Sequence, residues 1–208
     1  MPARLRTGMT RKSMCLSISF CMAALSACST SSDTTPQMSA IDGFEVQQYL
    51  GNWHQIAAVP AWFQKDCVAR VTADYAALDN GQVEVVNSCD RKEKARQTAT
   101  GRARFQETRD IGKLDVTFVD ILGAWVWPIG GNYWIIALDA DYQWSVVGEP
   151  SRKYGWILSR TDTLEIETLG QILAILEQEK YDPCEFIMST PTQQGRLCDL
   201  WPAQLPLR

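Results

Sequence analysis

The chain has 208 residues, 46% of them hydrophobic and 21% charged, the balance of one compact domain rather than of a disordered, fibrous or polytopic membrane protein. Four of its 20 basic side chains (Arg4, Arg6, Arg11, Lys12) stand in the first 27 residues without an acid, leaving 16 basic against 24 acidic side chains, a formal −8. A chain that acidic, with no long basic run, has no field for a phosphate backbone, which argues against nucleic-acid binding.

The N-terminus reads as an export signal: a basic stretch at Arg11-Lys12, an apolar run from Met14 to Leu25, and small residues Ser26-Ala27 ahead of Cys28, with Met9 as a second candidate start. Leu25-Ser26-Ala27-Cys28 resembles the lipobox of bacterial lipoproteins, in which the cysteine becomes the diacylated first residue of the mature chain. The alternative is an ordinary secretory signal in which Cys28 is incidental. The apolar run is short for a spanning helix, whereas two acyl chains anchor a protein stably. Ser29 follows the cysteine where an aspartate would retain the chain at the inner membrane, so the resemblance to lipoproteins implies the outer membrane, with the domain in the periplasm. From Ser29 to Ala40 the chain is rich in Ser, Thr and Pro and reads as a tether, with folding expected from Ile41.

Between Gly51 and Ser159, runs of Val, Ile, Tyr, Trp and Thr recur every eight to twelve residues between turn signals such as Asp79-Asn80-Gly81 and Gly130-Gly131. The runs predict strands over 51–59, 67–77, 82–89, 96–106, 113–119, 132–138, 142–148 and 154–160. The fold class is all-β, an antiparallel meander able to close into an up-and-down barrel around one small ligand. After Arg160, Leu169, Ile172, Leu173 and Leu176 follow the spacing of one helical face. Asp162 with Glu165 resembles a capping box, Asp182-Pro183 is the predicted stop, and a short strand is expected at 186–189.

Once Cys15 and Cys21 leave with the signal and Cys28 takes the lipid, Cys67, Cys89, Cys184 and Cys198 remain. An even number in an exported chain implies two disulfides with three possible pairings. No close C-x-x-C spacing and a single histidine, His54, speak against a metal site, and no cofactor is implied.

At this point the chain resembles the lipocalins. Tyr49-Leu50-Gly51-Asn52-Trp53 carries their G-x-W signature, Asp139-Ala140-Asp141-Tyr142 looks like their second motif, and Trp156-Ile157-Leu158-Ser159-Arg160 supplies the third-motif arginine. The likeness covers about 45–190 and is strongest to the bacterial, apolipoprotein D-like branch, whose members include outer-membrane lipoproteins. It implies a calyx with the helix packed outside, holding a hydrophobic or amphipathic ligand. Four mature cysteines and a Trp-rich segment at 125–127 depart from that pattern, so ligand identity is not carried over.

Counting alternations up and down the meander places Trp53 and Arg160 together at the closed end, where a guanidinium on an indole would plug the barrel. The connections 60–66, 90–95, 120–130 and 149–153 fall at the open end. Cys67 and Cys89 then sit near one rim on adjacent strands, which favours that pair and leaves Cys184 with Cys198. Inward parity and the rim position of the Trp-rich segment nominate Tyr75, Phe105, Val116, Phe118, Trp125, Trp127, Tyr133, Ile135, Trp144 and Trp156 as ligand-binding residues, although the strands near 132–148 are apolar on both faces and parity there leaves Trp134 and Ile136 as the alternative to Tyr133 and Ile135. A cavity of that character suits a fatty acid or a lysophospholipid-like molecule. His54 faces outward, Asp115 and Asp120 read as solvated acids, and without a G-x-S-x-G or comparable nucleophile motif the reading is not an enzyme. An envelope scaffold that binds protein on the same fold is the other functional class. The apolar cluster Trp125, Val126, Trp127, Pro128 and Ile129, near Trp62 and Phe63, has two readings: a homodimer contact, or a rim touching the bilayer with Arg91, Lys92, Lys94 and Arg96 beside it.

Overall fold

A computed structural model describes residues 38–190 and 194–200; the expected signal, Cys28 and the tether up to residue 37 lie outside the described residues. The alternating runs form β1 (Gly51–Ala58), β2 (Cys67–Ala77), β3 (Val83–Arg91), β4 (Lys94–Phe105) and β5 (Lys113–Thr117). A small hairpin, β6 (Asp120–Ile121) and β7 (Ala124–Trp125), interrupts the meander before β8 (Gly131–Leu138), β9 (Trp144–Gly148) and β10 (Gly155–Ser159). Each large strand is antiparallel to the next, and β1 returns to β10 with His54 opposite Ser159, so β1–β5 and β8–β10 close an eight-stranded barrel.

Two hydrophobic cores share the wall. Inside lie Trp53, Ala73, Tyr75, Val85, Ala103, Leu114, Ile135, Val147 and Leu158; outside, Ile56, Ala57, Trp134, Ile136, Val146 and Ile157 meet Leu169, Ile172, Leu173 and Leu176 of α2 (Ile166–Gln178). Strands β8, β9 and β10 are therefore apolar on both faces, one for the barrel and one for the helix. Met38, which the sequence assigns to the tether, is buried in the outer core.

Helix α2 starts and stops at other residues than expected. Its N-cap is Glu165, whose side chain makes no capping bond, and Asp162 stays in the preceding turn. It ends four residues before Asp182-Pro183, in a Schellman turn: Lys180 takes φ +64°, Lys180 N–H donates to the Glu177 carbonyl and Tyr181 N–H to that of Leu176. The chain then returns through β11 (Ile187–Met188) to the free edge of β1, with Ala57 opposite Met188.

That edge is free because β1 bends. It pairs with β2 only from Gly51 to His54, and a bulge against β10 between Gln55 and Ala57 turns both Ile56 and Ala57 towards the helix. Disulfides join Cys67 to Cys89 between β2 and β3, and Cys184 to Cys198, with Cα separations of 5.5 and 5.0 Å.

Candidate functional site

At the closed end the barrel is plugged by the segment before β1, which includes the short helix α1 (Val46–Tyr49). Gly51 at φ +91° lets the chain turn sharply from α1 into β1 beneath the Arg160 guanidinium. That guanidinium lies 3.9 Å from the centroid of the Trp53 ring and donates to the carbonyls of Gln48 (2.7 Å), Asn52 (2.9 Å) and Tyr142 (3.3 Å). Trp53 Nε1 donates to the Tyr49 carbonyl at 2.8 Å. Burial draws the Arg160 pKa down, against the pull of Tyr49, Asp74 and Tyr75.

Above the plug stands a chain of phenols. Tyr49 Oη donates to Ser145 Oγ at 3.2 Å and lies 2.8 Å from Tyr133 Oη, which is also 2.8 Å from Tyr75 Oη. Each hydroxyl has one proton, so the Tyr49 bond to Ser145 sets the direction: Tyr75 donates to Tyr133 and Tyr133 to Tyr49. Burial pushes the Tyr49 pKa up to about 12 and raises those of Tyr75 and Tyr133 further, so all three remain neutral. With Phe44, Leu50, Val116 and Ile135 they enclose a cavity of only about 20 Å³, room for one water and no ligand. Phe105, half-buried, tilts against Phe44 at 6.2 Å. Tyr75, Phe105, Val116, Tyr133 and Ile135 thus belong to a packed floor. The residues that fill it from below, Phe44, Tyr49 and Leu50, escaped the strand-parity argument because they precede the first strand.

The open half has space. Phe118, 42% exposed, rests its ring against Gly101, where a Cβ would come within 2.7 Å of it. Trp156, half-buried on the inner core, stacks on Tyr154 (centroids 6.2 Å apart); Tyr154 meets Phe63 (5.7 Å) and Phe63 meets Trp62 (5.6 Å), so aromatic rings step from the lining to the rim. Where β1 parts from β2, a cleft of about 320 Å³ opens between Ala58, Val59 and Ala61 on one side and Cys67, Ala69 and Val71 on the other, with Ile187 and Met188 beside them. Gln55 crosses it, donating to Ser189 Oγ at 2.8 Å and accepting from Gln64 Nε2 at 3.0 Å. The bulge and the returning β11 make this cleft, and neither has a signature that strand alternation reveals.

Three nominated residues lie elsewhere. Trp144 faces away from the barrel and packs on the helix-side core, because its inward neighbour is Ser145, the partner of Tyr49. Trp125 and Trp127 lie on the outer wall, where the connection after β5 folds back: the Arg102 guanidinium sits 4.8 Å from the Trp125 centroid and Arg104 4.4 Å from Trp127. Both arginines are themselves held, Arg102 by Glu84 at 2.7 Å and Arg104 by Asp115 at 3.1 Å. Asp115 is therefore paired rather than solvated, and Asp120 Oδ1 accepts from the Gly123 amide. At the β3–β4 end, Arg96 and Arg70 share Asp90 and hold its carboxyl below the usual carboxylate range, while Lys92 and Lys94 are exposed.

A family model described as a lipocalin-like domain matches residues 44–191. The chain belongs to the lipocalins. This lipocalin is 33% identical over 167 residues to the outer membrane lipoprotein Blc of Escherichia coli K12, covering 79% of this chain and 90% of Blc. It is 28% identical over 149 residues to apolipoprotein D of Rattus norvegicus, covering 68% and 74%. Among solved structures, insecticyanin of the tobacco hornworm Manduca sexta superposes with a TM-score of 0.59 at 20% identity, covering 77% of this lipocalin and 89% of that chain, a likeness of fold.

Proposed function

We propose that this lipocalin binds a fatty acid or lysophospholipid-like molecule in the open half of its barrel and carries or stores it at the outer membrane, held there by acyl chains on Cys28. The observation that carries the reading is the contrast between the two ends: the lower half packs down to about 20 Å³, whereas towards the rim a cleft of about 320 Å³ opens where β1 parts from β2, with half-buried Trp156 on the inner core and Phe118 partly exposed at the same end. A space of that size and apolar character falls within the range of small-ligand sites. Burying about ten methylenes at about 0.8 kcal/mol each gives on the order of 8 kcal/mol, roughly micromolar before association costs. An alkyl chain therefore lies across the upper barrel with its polar end towards the rim, because the phenols of the floor already spend their protons on one another and on Ser145. The kinship with Blc, an outer membrane lipoprotein, supports the envelope part of the reading.

The test is solvent extraction and mass spectrometry of lipid co-purifying with the protein, followed by titration of that lipid against Trp156→Ala. Recovery of a single-chain lipid whose affinity drops in the variant supports the proposal; a protein that carries none and binds none, yet captures an envelope protein, hands the fold to a scaffold role. The intact mass of membrane-derived protein should begin at Cys28 with acyl additions, and an unmodified soluble form refutes the anchor.

A further inference from the structure

We propose that the β6–β7 hairpin is a membrane finger, whose tip residues Ile121 and Leu122 enter the headgroup region of an anionic bilayer beside the mouth of the barrel. Leu122 is wholly exposed and Ile121 is 59% exposed. Leu122 also takes φ +54° and Gly123 φ +87°, the two-residue turn that suits Asn-Gly. A leucine in that conformation is sterically disfavoured and here buries nothing, so neither folding nor solubility accounts for it.

The tip is presented rather than loose. Val126 N–H donates to the Val119 carbonyl, Thr117 Oγ1 to the Val126 carbonyl and Gly123 N–H to Asp120, while Trp125 and Trp127 are clamped under Arg102 and Arg104. In the ring of eight strands, the connection between β5 and β8 stands four strands from the one between β1 and β2, across the mouth. That second connection carries Trp62, 76% exposed, and Phe63. Between these two apolar points lie the β3–β4 turn with exposed Lys92 and Lys94 and the β9–β10 connection with exposed Lys153.

Charge favours a bilayer over a second copy of the chain. The closed-end loops hold Asp42, Glu45, Asp79, Glu107, Asp110, Asp139, Asp141, Asp162 and Glu165 against Arg109 and Arg160, whereas the open-end connections and the strand ends beside them set Lys65, Arg91, Lys92, Lys94, Arg152 and Lys153 against Asp66, Glu93, Glu149 and an Asp120 already engaged by Gly123. The molecule is thus polarised along the barrel axis, and its mouth turns towards anionic headgroups although the whole chain is acidic. Two mouths meeting about a twofold axis would bring the lysines together. The inference stands apart from the ligand reading, since an empty barrel would dock in the same way.

The decisive experiment places a photoreactive diazirine amino acid at position 122 of the full chain, in vesicles of phosphatidylethanolamine and phosphatidylglycerol, with the same probe at Ala140 on the closed-end turn as control. Lipid adducts at 122 several-fold above those at 140, falling when phosphatidylglycerol is replaced by phosphatidylcholine, are expected. Equal adducts at both positions overturn the proposal, and adducts to a second copy of the chain give the hairpin to self-association instead. An unchanged yield without the anionic lipid overturns its electrostatic half. Leu122→Asn is the folding control: asparagine suits the turn, so its Tm should be no lower than the parent's, and a marked fall would show that the leucine serves the fold.

Discussion

Replacing Arg160 with alanine removes one stack and three hydrogen bonds at the closed end. The guanidinium over Trp53, at 3.9 Å and half-exposed, contributes about 1 kcal/mol. Its two short bonds, to the Gln48 and Asn52 carbonyls, add about 1 kcal/mol each after discounting for solvent, and the 3.3 Å bond to Tyr142 adds little. The total is about 3 kcal/mol, which at about 2–4 °C per kcal/mol for a domain of this size lowers Tm by roughly 6–12 °C. Arg160→Lys keeps the charge but not the planar fork that reaches separate carbonyls, and should recover less than half of the loss. Differential scanning calorimetry reads the stability, and titration with a fluorescent fatty acid reads the site, which lies in the other half of the barrel. A Tm within about 2 °C of the parent, on a scale where 1 kcal/mol moves it further, refutes the plug. So does an affinity that collapses while Tm stands.

Trp156→Ala and Trp144→Ala separate the inner face from the outer: the first should weaken fatty-acid binding about tenfold, the loss of roughly 1.4 kcal/mol of contact, while the second costs about 2 kcal/mol of stability with affinity unchanged. Equal effects on affinity would contradict the assignment of Trp144 to the helix side. Replacing Cys67 and Cys89 together with serine frees a loop of 22 residues and should cost about 3 kcal/mol in urea unfolding; an unchanged midpoint would show that the bond does not constrain the unfolded chain. The phenol chain sets an alkaline limit. Because the Tyr49 pKa is raised in the folded state to about 12 from its ordinary 10, its contribution is complete below pH 10 and is lost as pH rises through 12, at about 1.4 kcal/mol per pH unit in between. Tyr75, Tyr133 and Tyr181 move the same way. Absorbance at the tyrosinate band should therefore rise cooperatively with unfolding, and phenols that all titrate near pH 10 in the folded protein would refute the buried chain.

Alternation revealed the barrel wherever one face of a strand is polar. In β2, β4 and β5 the small or apolar residues at every second position, such as Ala73 and Tyr75, Gly101 and Ala103, or Leu114 and Val116, do face inward. It failed for β9, since a strand covered by α2 outside and by the calyx inside has no polar face to orient it, and Trp144 was placed on the wrong side. Trp125 and Trp127 misled for another reason. Their rim connection was legible, but not its folding back onto Arg102 and Arg104, two residues whose outward parity follows from inward Ala103. The roomiest part of the site depends on a bulge in β1 and on β11, some 130 residues further along, and contacts of that range leave no trace in local periodicity.

Closure of β1 on β10 has a consequence for how the chain is made. His54 finds Ser159, and Ala57 finds Met188, only after more than a hundred further residues have been synthesised. Until then one edge of the first strand is bare along its length and the other is covered by β2 only from Gly51 to His54, and an unpaired edge is an invitation to the wrong neighbour. The early meander can zip by short turns from β2 through β5, but the seam is sewn last, by the segment that also brings Arg160 onto Trp53. Folding of this lipocalin is thus gated at its C-terminal third: a truncation before β10 would leave an open, sticky sheet rather than a smaller calyx.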